Sequence, residues 1–224
     1  MNMNQKVIAI DGPSASGKGT VAARVAAALG WAYLDSGALY RLTALYAKNQ
    51  GIAWNNENEV AQLAASLPVE FIGQTILLNQ QDVSQAIRAE HIGMGASAVA
   101  KLPAVRTALL QRQRDFLTHQ GLVCDGRDMG SVVFPQAALK IFLTASPEIR
   151  AERRAKQLNI PLESAEFQHI LADIQARDEA DQNRSVAPLR QFPDAELLDT
   201  SDLSIEEAVK KVLDWYSKKS KTQV

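Results

Sequence analysis

Val7-Ile8-Ala9-Ile10-Asp11-Gly12-Pro13-Ser14-Ala15-Ser16-Gly17-Lys18-Gly19-Thr20 is the stretch whose reading decides the fold. Its first four residues form an apolar run, the mark of a strand buried on both faces. A glycine-bounded turn follows, then a lysine, then an alanine-rich segment at helical spacing. Strand, turn and helix in this order make the phosphate-loop pattern. Gly12 and Gly17 let the backbone curl so that successive N–H groups face one anion. The helix opening at Lys18 adds the positive end of its dipole, and Lys18 adds a full cation. Gly12, Pro13, Ser14, Ala15, Ser16, Gly17, Lys18, Gly19 and Thr20 are therefore the expected nucleotide-binding set. An ordinary glycine turn is the alternative.

One position departs from the strict pattern. Gly19 stands where Ser or Thr usually binds magnesium, and Thr20 comes next. The GKGT ending resembles the nucleoside monophosphate kinases more than GTPases or motor ATPases. The chain also lacks the Asn-Lys-x-Asp motif a GTPase needs to read guanine.

A chain of 224 residues with 22% charged residues suits one α/β core with small appendages. A formal net charge of −1 gives no global field toward nucleic acid or membrane. Neither partner is expected, so any anion must be held by locally placed arginines. Cys124 is the single cysteine, which excludes an internal disulfide and fits a reducing cytoplasm. The apolar run before Asp11 is too short for a secretory signal, and no stretch nears the ~20 apolar residues of a membrane span.

Helices are expected at 18–29 with Gly30 as C-cap, at 38–50 and at 57–66. Val69–Ile72 and Thr75–Asn79 flank Gly73-Gln74 as a hairpin, with a third short strand from Asp82. A helix is expected from Pro103 to Gln120, then strands at Leu122–Cys124 and Lys140–Leu143. Charged helical sequence fills 147–184 with a break near Asn159-Ile160-Pro161. A strand at 197–200 and an amphipathic helix at 204–217 close the chain, with a frayed tail from Lys218. Alternating strands and helices argue for an α/β fold built on a parallel sheet flanked by helices. The expected organisation is a P-loop core of 1–36, 96–152 and 190–224. A substrate-binding module with an inserted small antiparallel sheet takes 37–95, and a helical lid 153–189.

Asp125 ends an apolar strand, so it faces the phosphate-loop side of the sheet and is the candidate magnesium ligand. Arg127 and Asp128 follow at the same edge. Arg41 lies within two turns of the Asp35-Ser36-Gly37 turn, where Asp35 reads equally well as a simple cap. Arg177, Asp181 and Arg184 fall at i, i+4 and i+7, on one helix face. Such a stripe is often a solvated salt-bridge surface. Over a transferred phosphoryl group, however, guanidinium groups stabilise charge spread over the equatorial oxygens and exclude water. Ser97 and Arg106 are weaker candidates. His91, His119 and His169 form no metal-like cluster, and Trp31, Trp54 and Trp215 read as packing residues. No compelling general base appears. A phosphate acceptor needs none, because its second pKa is about 6. Asp35 and Asp128 keep an alcohol acceptor open.

GPSASGKGT, DSGALYR, DGRDMGSVVFP and RDEADQNR followed by Val186-Ala187-Pro188-Leu189 together resemble the bacterial cytidylate kinases, from about residue 6 to 216. Gln81-Asp82-Val83-Ser84 and Ile87-Arg88 resemble the extra sheet of the long bacterial form. The resemblance implies ATP with Mg²⁺ as donor and CMP or dCMP as acceptor; a cytoplasmic monomer is the expected state. It places Arg41 and Arg127 on the acceptor phosphate, and Ser36, Ser97, Arg106 and Asp128 on cytosine. Arg177 and Asp181 go to the sugar and Arg184 to the phosphates, so that Lys18, Arg127, Arg177 and Arg184 are the catalytic set. Ala180 and Gln182 stand where many members carry arginines. A kinase for another monophosphate or an alcohol, and a nucleotide-dependent switch, are the competing readings.

Overall fold

The computed structural model describes residues 6–72, 75–184 and 186–222. In chain order they form β1 (Val7–Asp11), α1 (Lys18–Leu29), β2 (Ala32–Asp35), α2 (Ser36–Asn49), α3 (Glu57–Ala65), β3 (Val69–Ile72), β4 (Thr75–Leu78) and β5 (Gln81–Asp82). A 3-10 turn (Ala86–Arg88) leads to α4 (Glu90–Val99), α5 (Pro103–Arg114) and β6 (Leu122–Gly126). A π-helical turn (Met129–Val133) precedes β7 (Leu139–Thr144), α6 (Pro147–Leu158), α7 (Ala165–Gln182), β8 (Glu196–Asp199) and α8 (Ile205–Thr222). The chain divides into two compact units, one of residues 1–34 with 116–224, the other of 35–115.

The first unit is built on a five-stranded sheet ordered β2-β6-β1-β7-β8. β1 runs parallel to β6 and β7, and β7 parallel to β8. Every residue of β1 and β6 is buried, which is why both read as unbroken apolar runs. Small residues on α1 (Ala22, Val25, Ala26) and α8 (Ala208, Val212) pack into the core with Ile8, Ile10 and Leu143. Trp31 is a packing residue, its ring edge-on to Tyr216 at 5.1 Å. Gly121 (φ 136°) passes so close that a Cβ there would lie 2.4 Å from that ring. The register pairs Ile10 with Asp125 and Asp11 with Gly126, so the two chain segments most suspected of chemistry leave the sheet side by side.

The second unit pairs α2 with α4 and α3 with α5 beside an antiparallel sheet β3-β4-β5. The hairpin is found; its Gly73-Gln74 turn lies outside the described residues. The periodicity gives no sign of α4, because Gly93 and Gly95 interrupt it, and interior glycine weakens a helix by about 1 kcal/mol relative to alanine. Close packing is what overrides that cost. A Cβ at Gly95 would sit 2.5 Å from the Trp54 ring, and one at Gly93 3.1 Å from the Arg41 guanidinium. α5 ends at Arg114, six residues short of the expected Gln120, and the chain turns at Thr118, whose hydroxyl donates to Gly121 O. Residues 96–115 belong to this unit, where the Ala104 N–H donates to Glu57 and Arg112 donates to Leu67 O. At the far end of the chain α8 continues through Lys218 to Thr222.

Candidate active site

The loop between β1 and α1 is shaped by one close approach and two left-handed residues. A Cβ at Gly12 would lie 2.0 Å from Leu143 O, so only glycine brings the loop this near β7. Ala15 (φ 57°) and Gly17 (φ 88°) then turn the backbone. α1 starts at Lys18 with no side-chain cap and no acidic residue in its first turn, which leaves its positive end uncovered. Lys18 Nζ folds back to Pro13 O at 3.1 Å. The Ser14 and Ser16 hydroxyls are buried without a hydrogen-bond partner among the described residues. Buried hydroxyls left unmatched are expensive, and phosphate oxygens would satisfy both. The donor set fits a polyphosphate.

Asp125 is buried at the end of β6, where the Tyr33 hydroxyl donates to its Oδ1 at 2.7 Å. A Cβ at Gly19 would lie 3.7 Å from the same carboxylate and 3.4 Å from the Tyr33 oxygen. The missing Ser or Thr of the strict loop is thus matched by a tyrosine hydroxyl and a carboxylate arriving from neighbouring strands. From the sequence Tyr33 reads only as the start of a core element, because β2 offers no motif. Among the described residues no three His, Cys, Asp or Glu side chains form a metal cage. Asp125 would be the protein's ligand to a divalent ion that accompanies a bound nucleotide.

Two further buried groups shape this edge. Both oxygens of Asp11 accept backbone N–H bonds, from Met129 and Gly130, at 2.8 Å each. They fix the turn that carries Arg127 and Asp128, and Gly12 N–H donates to Gly126 O at 3.3 Å. Burial pushes the Asp11 carboxyl up to about 6, against the pull of those two N–H bonds. Its signal in the sequence is a carboxylate ending a strand with no polar neighbour. Cys124 is buried beneath, its thiol raised well above the usual value by burial and by Asp11, Asp125 and Asp128.

The arginine stripe is not a solvated face. Asp181 is only 5% exposed; Arg127 Nε donates to its Oδ2 at 2.7 Å, and Arg184 pairs with its Oδ1. α7 ends at Gln182, so Arg184 lies beyond the helix rather than on its face, as spacing had suggested. Arg177 is half-buried one turn before Asp181, while Ala180 and Gln182 are exposed. Asp178, which the sequence reading passed over, pairs with buried Arg150.

The second unit holds the other expected residues. Ser36 Oγ donates to the buried Gln113 at 3.0 Å. Arg41 Nη1 donates to Ile87 O at 2.9 Å, beside Gly93. Arg106 Nη1 reaches Ala100 O at 3.4 Å, and Ser97 is half-buried on α4. Asp35 accepts from Ala38 N–H at 3.0 Å and caps α2, the structural role its Asp-Ser-Gly turn also offered.

A family model described as cytidylate kinase matches residues 8–218. A cytidylate kinase of Neisseria meningitidis serogroup C is 73% identical over 212 residues, covering 95% of this chain and 97% of the relative. One from Chromobacterium violaceum is 63% identical over 217 residues, covering 97% and 98%. A gluconokinase structure from Sinorhizobium meliloti aligns over 98% of this chain and 95% of its own at 15% identity with a TM-score of 0.50, a likeness of fold alone.

Proposed function

The chain belongs to the cytidylate kinase family, ATP-dependent kinases of CMP and dCMP, and on that premise we propose how its residues divide the reaction. The phosphate loop Gly12–Thr20, with Lys18 and the N-terminus of α1, holds the phosphates of ATP. The observation that carries this reading is the single bond from Gly12 N–H to Gly126 O. It ties the phosphate loop to the segment that presents Arg127, which shares Asp181 with Arg184.

Arg127 with Arg41 binds the acceptor phosphate, and Arg177 and Arg184 stabilise charge on the transferred group. Ser36, Ser97, Arg106 and Asp128 read cytosine; a donor and an acceptor are both required for its carbonyl and exocyclic amine. Asp181 has a constraint of its own. Each of its oxygens already accepts from one arginine, so a sugar hydroxyl would share an oxygen with a guanidinium. The acceptor phosphate is largely ionised at neutral pH, and in-line transfer then needs alignment and charge neutralisation but no base. Asp125, oriented by Tyr33, would hold Mg²⁺. When bound, the ion neutralises phosphate charge.

We place the protein in the cytoplasm as a monomer, with neither nucleic acid nor membrane as partner. A formal net charge of −1 and a lone buried thiol support this. Among the described residues no helix is long and apolar enough to cross a membrane.

The test is ADP release from ATP and Mg²⁺ with CMP, dCMP, UMP, AMP, GMP and dTMP offered singly. Turnover fastest with CMP and dCMP is expected. A faster reaction with another monophosphate would overturn the cytosine-reading set.

A further inference from the structure

Arg150 takes no part in the roles assigned above, yet it is among the most buried cations in the molecule, its side chain 3% exposed. All three of its guanidinium nitrogens donate. Nε donates to Ala145 O at 2.9 Å, and Nη1 donates both to Ser14 O at 3.1 Å and to Asp178 Oδ1 at 2.9 Å. Nη2 closes on Asp178 Oδ2. One planar group thus joins the phosphate loop, the start of α6 and the body of α7.

The contact with Ser14 O has a consequence for the loop's function. In a trans peptide the carbonyl of one residue and the N–H of the next point in opposite directions. Holding Ser14 O toward α6 therefore turns Ala15 N–H the other way. The same device recurs two residues on, where Arg153 Nη1 and Thr200 Oγ1 each reach Ser16 O at 3.4 Å and so turn away Gly17 N–H. Ala15 sits at φ 57°, a conformation that alanine does not favour by itself, so the loop needs outside support to keep it. A carbonyl swung inward would present a partial negative charge where phosphate oxygens bind. Arginine suits the task because its planar fork serves two carbonyls and both oxygens of a carboxylate at once.

The geometry points to Arg150 as a positioning residue of the phosphate grip, with Asp178 as its anchor. The pair holds the Ser14–Ala15 peptide in its anion-binding orientation. Asp178 lies one turn before Asp181, so α7 supports the loop from behind through Arg150 and holds Arg127 and Arg184 through Asp181. This rests on the phosphate-loop reading above and adds to it the part that keeps the cradle in shape.

The test uses the full chain with Asp178→Asn and, separately, Arg150→Lys. Binding of tripolyphosphate, ADP and CMP is measured by titration calorimetry, alongside the KM for ATP. Tripolyphosphate probes the cradle without a base or sugar. Losing a charge-assisted bond that orients one N–H should weaken tripolyphosphate and ADP about tenfold and raise the KM for ATP equally, with CMP affinity within about twofold. Asp214→Asn, which breaks the exposed Lys210–Asp214 pair on α8, should change none of these. Unchanged tripolyphosphate affinity in a folded variant overturns the proposal, as does a proportional loss for CMP, which would mean a general loosening of α7. If one variant fails to fold, the other decides. A wild-type protein that binds tripolyphosphate but does not phosphorylate CMP would sink the functional reading alone, whereas one that binds no tripolyphosphate would sink both.

Discussion

Replacing Asp11 with asparagine exchanges a buried carboxylate for a neutral group of similar shape, at a point where two backbone N–H groups require an acceptor. Burial raises the Asp11 carboxyl from 3.8 to about 6, Asp128 adds to the rise, and the Met129 and Gly130 N–H bonds and Arg127 oppose it. The folded protein therefore holds this proton more tightly than the unfolded chain does. Its stabilising contribution is complete below pH 3.8 and is lost as pH rises through about 6. At roughly 1.4 kcal/mol per pH unit of difference, the full swing is ~3 kcal/mol. About 2 kcal/mol of it falls between roughly pH 4.5 and 7.5.

The asparagine variant does not titrate there. Its amide oxygen satisfies one of the two N–H groups, and the other loses its acceptor, a penalty of about 1–3 kcal/mol. Asp11→Asn should accordingly be less stable than the wild type at pH ~4.5, with a gap that narrows by ~2 kcal/mol by pH ~7.5. Urea unfolding of both proteins across that range reads the difference directly, provided the denaturant slopes stay equal. A gap that stays constant across the range would refute the reasoning, because Asp11 would then ionise as it does in the open chain.

Gly12→Ala should lower stability by ~1–3 kcal/mol or more and abolish nucleotide binding, because the new methyl meets Leu143 O on a strand paired on both sides. A melting temperature equal to the wild type's would contradict the close approach. Asp128→Ala should raise the KM for CMP about fivefold to a hundredfold while sparing ATP, the value of one buried base-reading bond. Equal losses for the two nucleotides would remove Asp128 from the cytosine-reading set.

Much of the fold was legible because its signals are local. β1 and β6 are buried on both faces and therefore read as apolar runs, and Gly30 and Asn159, both left-handed, mark the ends of α1 and α6. α4 was not legible. Its glycines deny it helical propensity, and only the Trp54 ring and the Arg41 guanidinium packed against them explain their presence. The site divides in the same way. The phosphate loop is contiguous in sequence and could be read residue by residue. Tyr33, Asp11, Gln113 and Arg150 act on residues 77 to 136 positions away, or on the turn 118 positions from Asp11, and no spacing rule connects such pairs.

By itself the sequence determined the chemistry on offer: a phosphate loop, a carboxylate at a strand end, and arginines in the RDEADQNR segment, each carried by neighbouring residues whose identity suffices. Tertiary structure decided which of those charges are held and by what. Asp181 became the shared partner of Arg127 and Arg184 rather than part of a solvated stripe, and Asp35 became a helix cap. Hydrogen bonds and ion pairs act over about 3 Å of space, and only the folded chain sets which distant residues come that close.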